Sequence, residues 1–220
     1  MRKQPVQQRS RDMVAILMDA AARVIVERGF DNLTTNHVAA AAGVSIGSLY
    51  QYFPDKDALV EALLQRHAAQ LLVVVDARLR DLIDADARAI TRGILEAVFD
   101  VVEGDPCRRE LMRHWDRLRM RSSFRALEQH MTEACRLYLL RHHDRYRIDN
   151  LPAALFVAIN SLHYTVAHYF SLERPALARA EVIRALGDML GAYLEAGAQK
   201  QPPKQKAARR RPSATKRRRV

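Results

Sequence analysis

The side chains best suited to chemistry lie between Thr34 and Lys56, in TTNHVAAAAGVSIGSLYQYFPDK. A helix from Ile46 to about Tyr52 advances 100° per residue, so turning Leu49 and Phe53 toward a core turns Gly47 and Gln51 away from it. Ile46 then falls near the core side, with Ser48, Tyr50 and Tyr52 on the flanks. The outward face offers an amide, hydroxyls and one position without a side chain, and no carboxylate. An amide such as Gln51 matches a donor and acceptor on a base edge, hydroxyls reach phosphates, and Gly47 allows close backbone approach. The chemistry of this face is recognition of double-stranded DNA.

The neighbouring residues position it. Thr34 can cap a helix from Thr35 to about Ala42, because its hydroxyl satisfies orphan N–H groups. Gly43 can end that helix in the left-handed conformation, and Ala39, four residues earlier, leaves room for a crossing helix. Ser45 can cap the next helix, which Pro54 stops. Two short helices broken by one glycine form a helix-turn-helix whose second helix fits the major groove.

A second group of residues suits ligand binding. Phe99, Leu111, Met112, Trp115, Leu118, Phe124, Leu127 and Met131 are large and apolar, and His114, Asn160, His163 and His168 are polar groups set among or near them. An apolar cavity with a few polar groups is what a small-molecule site requires. Phe99, Met112, Trp115, Phe124, Met131 and His163 are the candidate effector contacts; the alternative for each is ordinary core. Catalytic signals are lacking: there is no nucleophile elbow or phosphate loop. His142 and His143 are adjacent and His163 and His168 five apart, both poor spacings for a shared metal on a helix. No catalytic residue, metal or cofactor is therefore expected.

Periodicity and breakers predict an all-α fold of about nine helices. The first spans about Arg9 to Arg28, the fourth starts near Asp55 and runs beyond Leu72, and the polar stretch Asp81 to Asp86 breaks the chain. Further helices span about Ala87 to Val102, start at Pro106 after the cap Asp105, span about Ser122 to His142, open at Asn150-Leu151-Pro152 and run to about Leu172, and follow Pro175 to near Gly197. The last two carry wide apolar stripes: Leu155, Ile159, Leu162, Val166 and Phe170 on one, Val182, Leu186, Met189, Leu190 and Tyr193 on the other. Such a pair can pack on its own domain and on a second copy.

VAAAAGVSIGSLYQYFPDK, with ILMDAAARVIVERGF before it and KDALVEALL after it, resembles the N-terminal domain of the TetR family of transcriptional regulators. The likeness covers about Ser10 to Leu64; beyond it only the helical organisation is similar. The resemblance implies DNA contacts at Thr35, Asn36, Ser45, Ile46, Gly47, Ser48, Tyr50, Gln51, Tyr52 and Lys56. It also implies a homodimer built on the last two helices, with Leu155, Ile159, Leu162, Val166, Phe170, Val182, Leu186, Met189 and Tyr193 in the interface. The division expected is a DNA-binding domain with an N-terminal arm over 1–56, a helical effector-binding and dimerisation domain over 57–197, and a basic disordered tail over 198–220. The function implied is a repressor released from a palindromic operator by a small-molecule effector. The alternatives are an architectural or constitutive DNA-binding regulator without an effector, and a protein that uses its helical lobe for protein partners.

Composition limits other classes. The chain has 220 residues, few aromatics, eight glycines and a net charge of +11. Ten of its 36 Lys and Arg lie in 198–220, which has no acid, so the remainder carries 26 cations against 25 acids. DNA recognition is therefore argued from the motif, not from overall charge. No run near the ~20 apolar residues of a membrane span is seen, no signal peptide is expected, and no membrane partner is implied. Two isolated cysteines, Cys107 and Cys135, suggest neither a disulfide framework nor a zinc site. The expected location is a reducing cytoplasm, in association with the nucleoid.

Overall fold

The computed structural model describes residues 4–118 and 122–198. The expected disorder of the basic tail falls on residues beyond 198, outside the described residues.

The described residues form ten α-helices and no strand. They are α1 (Gln4–Arg28), a 3-10 turn (Phe30–Asn32), α2 (Thr35–Ala42), α3 (Ile46–Tyr50), α4 (Lys56–Asp81), α5 (Ala87–Glu103), α6 (Pro106–Arg113), α7 (Trp115–Leu118), α8 (Ser122–Arg141), α9 (Leu151–Ser171) and α10 (Arg179–Ala198). The all-α reading holds, with differences at helix ends. α1 starts five residues before Arg9 because Pro5 is tolerated in a first turn, where its missing N–H has no intrahelical partner. α3 ends at Tyr50, not Tyr52, as the chain tightens and the amides of Tyr52 and Phe53 both donate to Leu49 O at 3.0 Å. The single turn α7 is separate because α6 closes at His114.

The caps explain where helices begin. Thr34 Oγ1 accepts from His37 N at 3.1 Å, Ser45 Oγ from Ser48 N at 3.1 Å, and Asp55 Oδ1 from Ala58 N at 2.7 Å. Asp86, Asp105 and Asn150 cap α5, α6 and α9 in the same way. Each such cap contributes about 1 kcal/mol. Gly43, at φ 69°, ends α2 in the left-handed region, where the Val44 amide reaches back to Ala39 O at 3.0 Å.

Three apolar clusters hold the chain. The first joins Leu17, Ala21 and Ile25 of α1 to Val38 and Ala39 of α2, Leu49 of α3, and Leu59, Leu63 and Leu64 of α4. It also takes in Cys107, Leu111 and Leu118, so α6 and α7 are built onto the reading head. The second joins α5, α9 and α10 through Phe99, Phe170, Val182 and Leu186. The third joins α5, α8 and α9 through Ile90, Tyr138, Tyr146 and Leu155. Gly187 and Gly191 let α10 lie close against α5, where Arg88 pairs with Glu195 and Arg92 with Asp188.

α4 corrects one expectation: by length and composition it is apolar enough to cross a membrane. The fold accounts for this apolarity. Leu59, Val60 and Leu63 enter the head core, while Leu71, Val75 and Leu79 line a cavity beside it.

Candidate nucleic-acid interface and ligand cavity

The turn between α2 and α3 fixes the presentation of α3. Leu49 is fully buried and Phe53 nearly so, which leaves Gly47, Tyr50 and Gln51 exposed on the opposite side. Ile46 departs from its expected place near the core: as the first residue of α3 it is 37% exposed. Asn36 is exposed on the adjacent end of α2, and Thr35 Oγ1 lies 3.3 Å from Tyr50 OH, joining the two helices by their hydroxyls. Ser45 and Ser48 are engaged with each other at 2.9 Å as well as in the cap. Tyr52 is half-buried against the head core, and the Lys56 ammonium sits 5.4 Å above the Phe30 ring. Asn36, Gly47, Tyr50 and Gln51 thus form the open face, and the other six candidates flank or support it. A Cβ at Gly47 would meet only Ser45 Oγ at 3.9 Å, so nothing within the protein requires that glycine.

A cavity of ≈ 750 Å³ lies among α4 to α10. Met112, Trp115, Phe124, Met131 and His163 line it, together with Leu111, Leu127 and Asn160. Phe99 does not. It follows the lining Val98 by one residue and so turns about 100° away, into the core against Tyr169 and Phe170 at 5.1 and 4.9 Å between ring centres. His114 also lies outside the wall and packs on Phe30 at 4.9 Å. Burial lowers the pKa of His163, against a smaller opposing effect of Glu128.

Sequence reasoning missed the polar groups at the head end of the cavity: His67, Arg108 and Ser123. All three are buried and all three line it. His67 Nδ1 accepts from Arg108 Nε at 3.3 Å and Nη2 at 3.1 Å, and Arg108 Nη2 also donates to Gln70 Oε1 at 2.8 Å. Asp105 Oδ2 stands 3.5 Å from the same imidazole nitrogen. Desolvation first, then the Arg108 charge, push the His67 pKa down to about 4 despite Asp105, so the ring is neutral near pH 7. Arg108 and His67 come from positions 41 residues apart, and no local spacing announces such a pair. Burial also raises the thiol pKa of Cys107 to about 12 and of Cys135 to about 11, which keeps both unreactive. Among the described residues, no three His, Cys, Asp or Glu side chains converge as a metal ion would need.

Most residues of the expected interface stripes are engaged within the single chain. Leu155, Ile159, Leu162 and Val166 of α9 line the cavity, while Phe170, Val182 and Leu186 belong to the second apolar cluster. These seven face inward. Phe156 (69% exposed), Val157 and His168 are exposed on α9, Asn160 and Tyr164 (61%) are exposed at the cavity edge that they also line, and Met189 and Tyr193 are exposed on α10. Both helices are apolar on two sides, and the stronger stripe is the inner one.

A capped helix-turn-helix with an open, carboxylate-free second helix makes this a helix-turn-helix DNA-binding protein by class. Residues 17–63 match the family described as bacterial regulatory proteins, tetR family. The HTH-type transcriptional regulator BetI of Cronobacter sakazakii is 37% identical over 97 residues, 44% of this chain and 45% of that protein. The HTH-type transcriptional activator FasR of Mycolicibacterium smegmatis is 40% identical over 89 residues, 40% of each chain. The chain thus spans less than half the length of these curated relatives. The crystal structure of a TetR-family transcriptional regulator from Streptomyces coelicolor superposes with a TM-score of 0.62 at 25% identity, over 83% of this chain and 97% of that one. Residues 17–63 are thus a DNA-binding domain of the TetR-family type, and over most of its length the chain has the fold of TetR-family transcriptional regulators.

Proposed function

We propose that the chain is a repressor released from a palindromic DNA operator when a small molecule fills the ≈ 750 Å³ cavity. One observation carries this reading: Leu64 and Leu111 belong both to the buried core of the reading head and to the cavity wall. A ligand that moves the wall must therefore repack the head. α6 and α7 make further ties across this seam, with Glu110 Oε1 accepting from Phe30 N at 3.4 Å and Arg117 paired with Asp31. α4 leaves the head at Lys56 and passes along the cavity, which makes it the natural lever.

In this reading, residues 1–56 read DNA, 57–197 bind effector and partner, and the basic residues from 198 attract phosphate. Asn36, Gly47, Tyr50 and Gln51 face the duplex, and Thr35, Ser45, Ile46, Ser48, Tyr52 and Lys56 flank or position them. A second copy packs on the outer faces of α9 and α10, through Phe156, Tyr164, Met189 and Tyr193, because one short helix covers few base pairs and two half-sites are needed. The site of action is the chromosomal DNA of the cytoplasm, and no catalytic step is assigned. FasR is named an activator, so the sign of regulation follows from where the operator lies relative to the promoter.

Linkage tests the switch. If ligand and operator favour different dimer geometries, operator DNA must weaken ligand binding by the same factor by which ligand weakens DNA binding. Calorimetric titration of a releasing metabolite into free and operator-bound protein measures both; equal affinity in the two states contradicts the mechanism.

A further inference from the structure

The cavity wall is mostly apolar, with Thr91, Glu128, Asn160 and His163 among its polar members, and at its head end two buried polar atoms have no hydrogen-bond partner. His67 and Ser123 are 8% and 4% exposed, both line the cavity, and His67 Nε2 and Ser123 Oγ make no hydrogen bond. Buried polar atoms are seldom left so, because each costs the full loss of its hydration. The proton on His67 can be assigned. Its Nδ1 accepts from Arg108, and a guanidinium has no acceptor of its own, so the neutral ring carries its proton on Nε2. The orphan on His67 is therefore a donor. Ser123 Oγ can also donate, while its backbone N–H is taken by Glu61 Oε1 at 2.9 Å.

The rest of the cavity follows α4. From His67 to Leu79 the wall advances about 18 Å along the helix axis and presents Leu71 and Val75 on the way. Two donors at one end and a long apolar wall beyond call for one acceptor oxygen and an extended hydrocarbon. Arg108 and Glu61 stand near these donors with opposite charges. The oxygen can thus belong to a carboxylate or to a neutral carbonyl.

We propose that the cavity takes a medium- to long-chain acyl compound, its oxygen accepting hydrogen bonds from His67 Nε2 and Ser123 Oγ and its alkyl tail lying along α4. This rests on the cavity being an effector site. The full chain supplies its own reporter, because Trp115, its single tryptophan, lines the same cavity. Trp115 emission is titrated with decanoic acid, methyl decanoate and decane, on the unaltered protein and on Ser123→Ala. The acid, the ester or both should bind about tenfold or more tighter than decane, and comparing them tells a free acid from an acyl derivative. Ser123→Ala should lower acyl affinity about tenfold, the loss of one buried hydrogen bond, and leave decane binding unchanged. It should not lower the melting temperature, since the hydroxyl has no partner to lose. If decane binds as well as the acyl compounds, or Ser123→Ala leaves acyl affinity intact, the head-group assignment is overturned and the cavity remains an effector site. If none of the probes alters Trp115 emission, the acyl proposal is overturned. The effector reading then falls separately, if no metabolite that releases DNA changes that emission.

Discussion

Replacing Phe156 with alanine should break the proposed dimer and spare the fold. Its ring is 69% exposed in the single chain and lies on the same face of α9 as Tyr164. Full burial of a phenylalanine side chain is worth about 1.5–3 kcal/mol. The share still exposed here corresponds to about 1–2 kcal/mol per subunit at a dimer interface. A twofold axis places the residue in the interface twice, so truncation should cost about 2–4 kcal/mol, or roughly 30- to 1,000-fold in the dimer dissociation constant. The neighbouring Leu155 is the control, because it is 6% exposed and packs in the third apolar cluster. Leu155→Ala should lower folding stability by about 2–5 kcal/mol at unchanged subunit affinity once folded. Sedimentation equilibrium gives the dimer constant and urea denaturation the stability. The reasoning is refuted if Phe156→Ala dimerises within threefold of the unaltered chain, or if it loses stability as Leu155→Ala does.

Other consequences concern the reading head, pH and the tail. Gly47→Ala should raise helix stability by about 0.5–1 kcal/mol, since its Cβ would meet nothing closer than 3.9 Å, yet weaken operator binding tenfold or more; unchanged affinity in an anisotropy titration would place Gly47 away from the duplex. His67 has a folded pKa lowered to about 4 from an ordinary 6.5, so the unfolded chain binds the extra proton between these values. Stability should therefore fall as pH drops from 6.5 toward 4, by up to about 3 kcal/mol from this group, and identical urea midpoints at pH 7 and 5 would contradict the buried neutral ring. Removing residues 199–220, which carry ten cations and no acid, should flatten the dependence of log affinity on log salt while leaving operator choice intact; equal slopes would show that the tail does not touch DNA.

What was legible in the sequence is what short-range bonding decides. Thr34, Gly43 and Ser45 each act through partners within four residues, so the caps and the turn of the head could be placed from residue types alone. Leu49 and Phe53 followed from helical geometry. The cavity was legible as a group of large apolar residues, five of whose six named contacts line it, but Phe99 was not, because α5 is apolar on adjacent sides and Val98 takes the wall position. The α9 stripe expected at a dimer interface is turned inward within the single chain. Leu155, Ile159, Val166 and Phe170 form its most regular apolar row, and the helix uses that row for its own subunit. The exposed row is interrupted by Asn160 and His168, which hides Phe156 and Tyr164 in a hydropathy pattern. His67, Arg108 and Ser123 meet only through tertiary packing.

Footprinting on the DNA upstream of the chain's own coding region tests the central claim most directly. The account predicts a protected, twofold-symmetric site whose half-sites lie about one helical turn apart, with Gln51→Ala relaxing preference at one symmetric base-pair position by about 1–3 kcal/mol. Protection without sequence preference, or a base preference that Gln51→Ala leaves unchanged at every position, would contradict it.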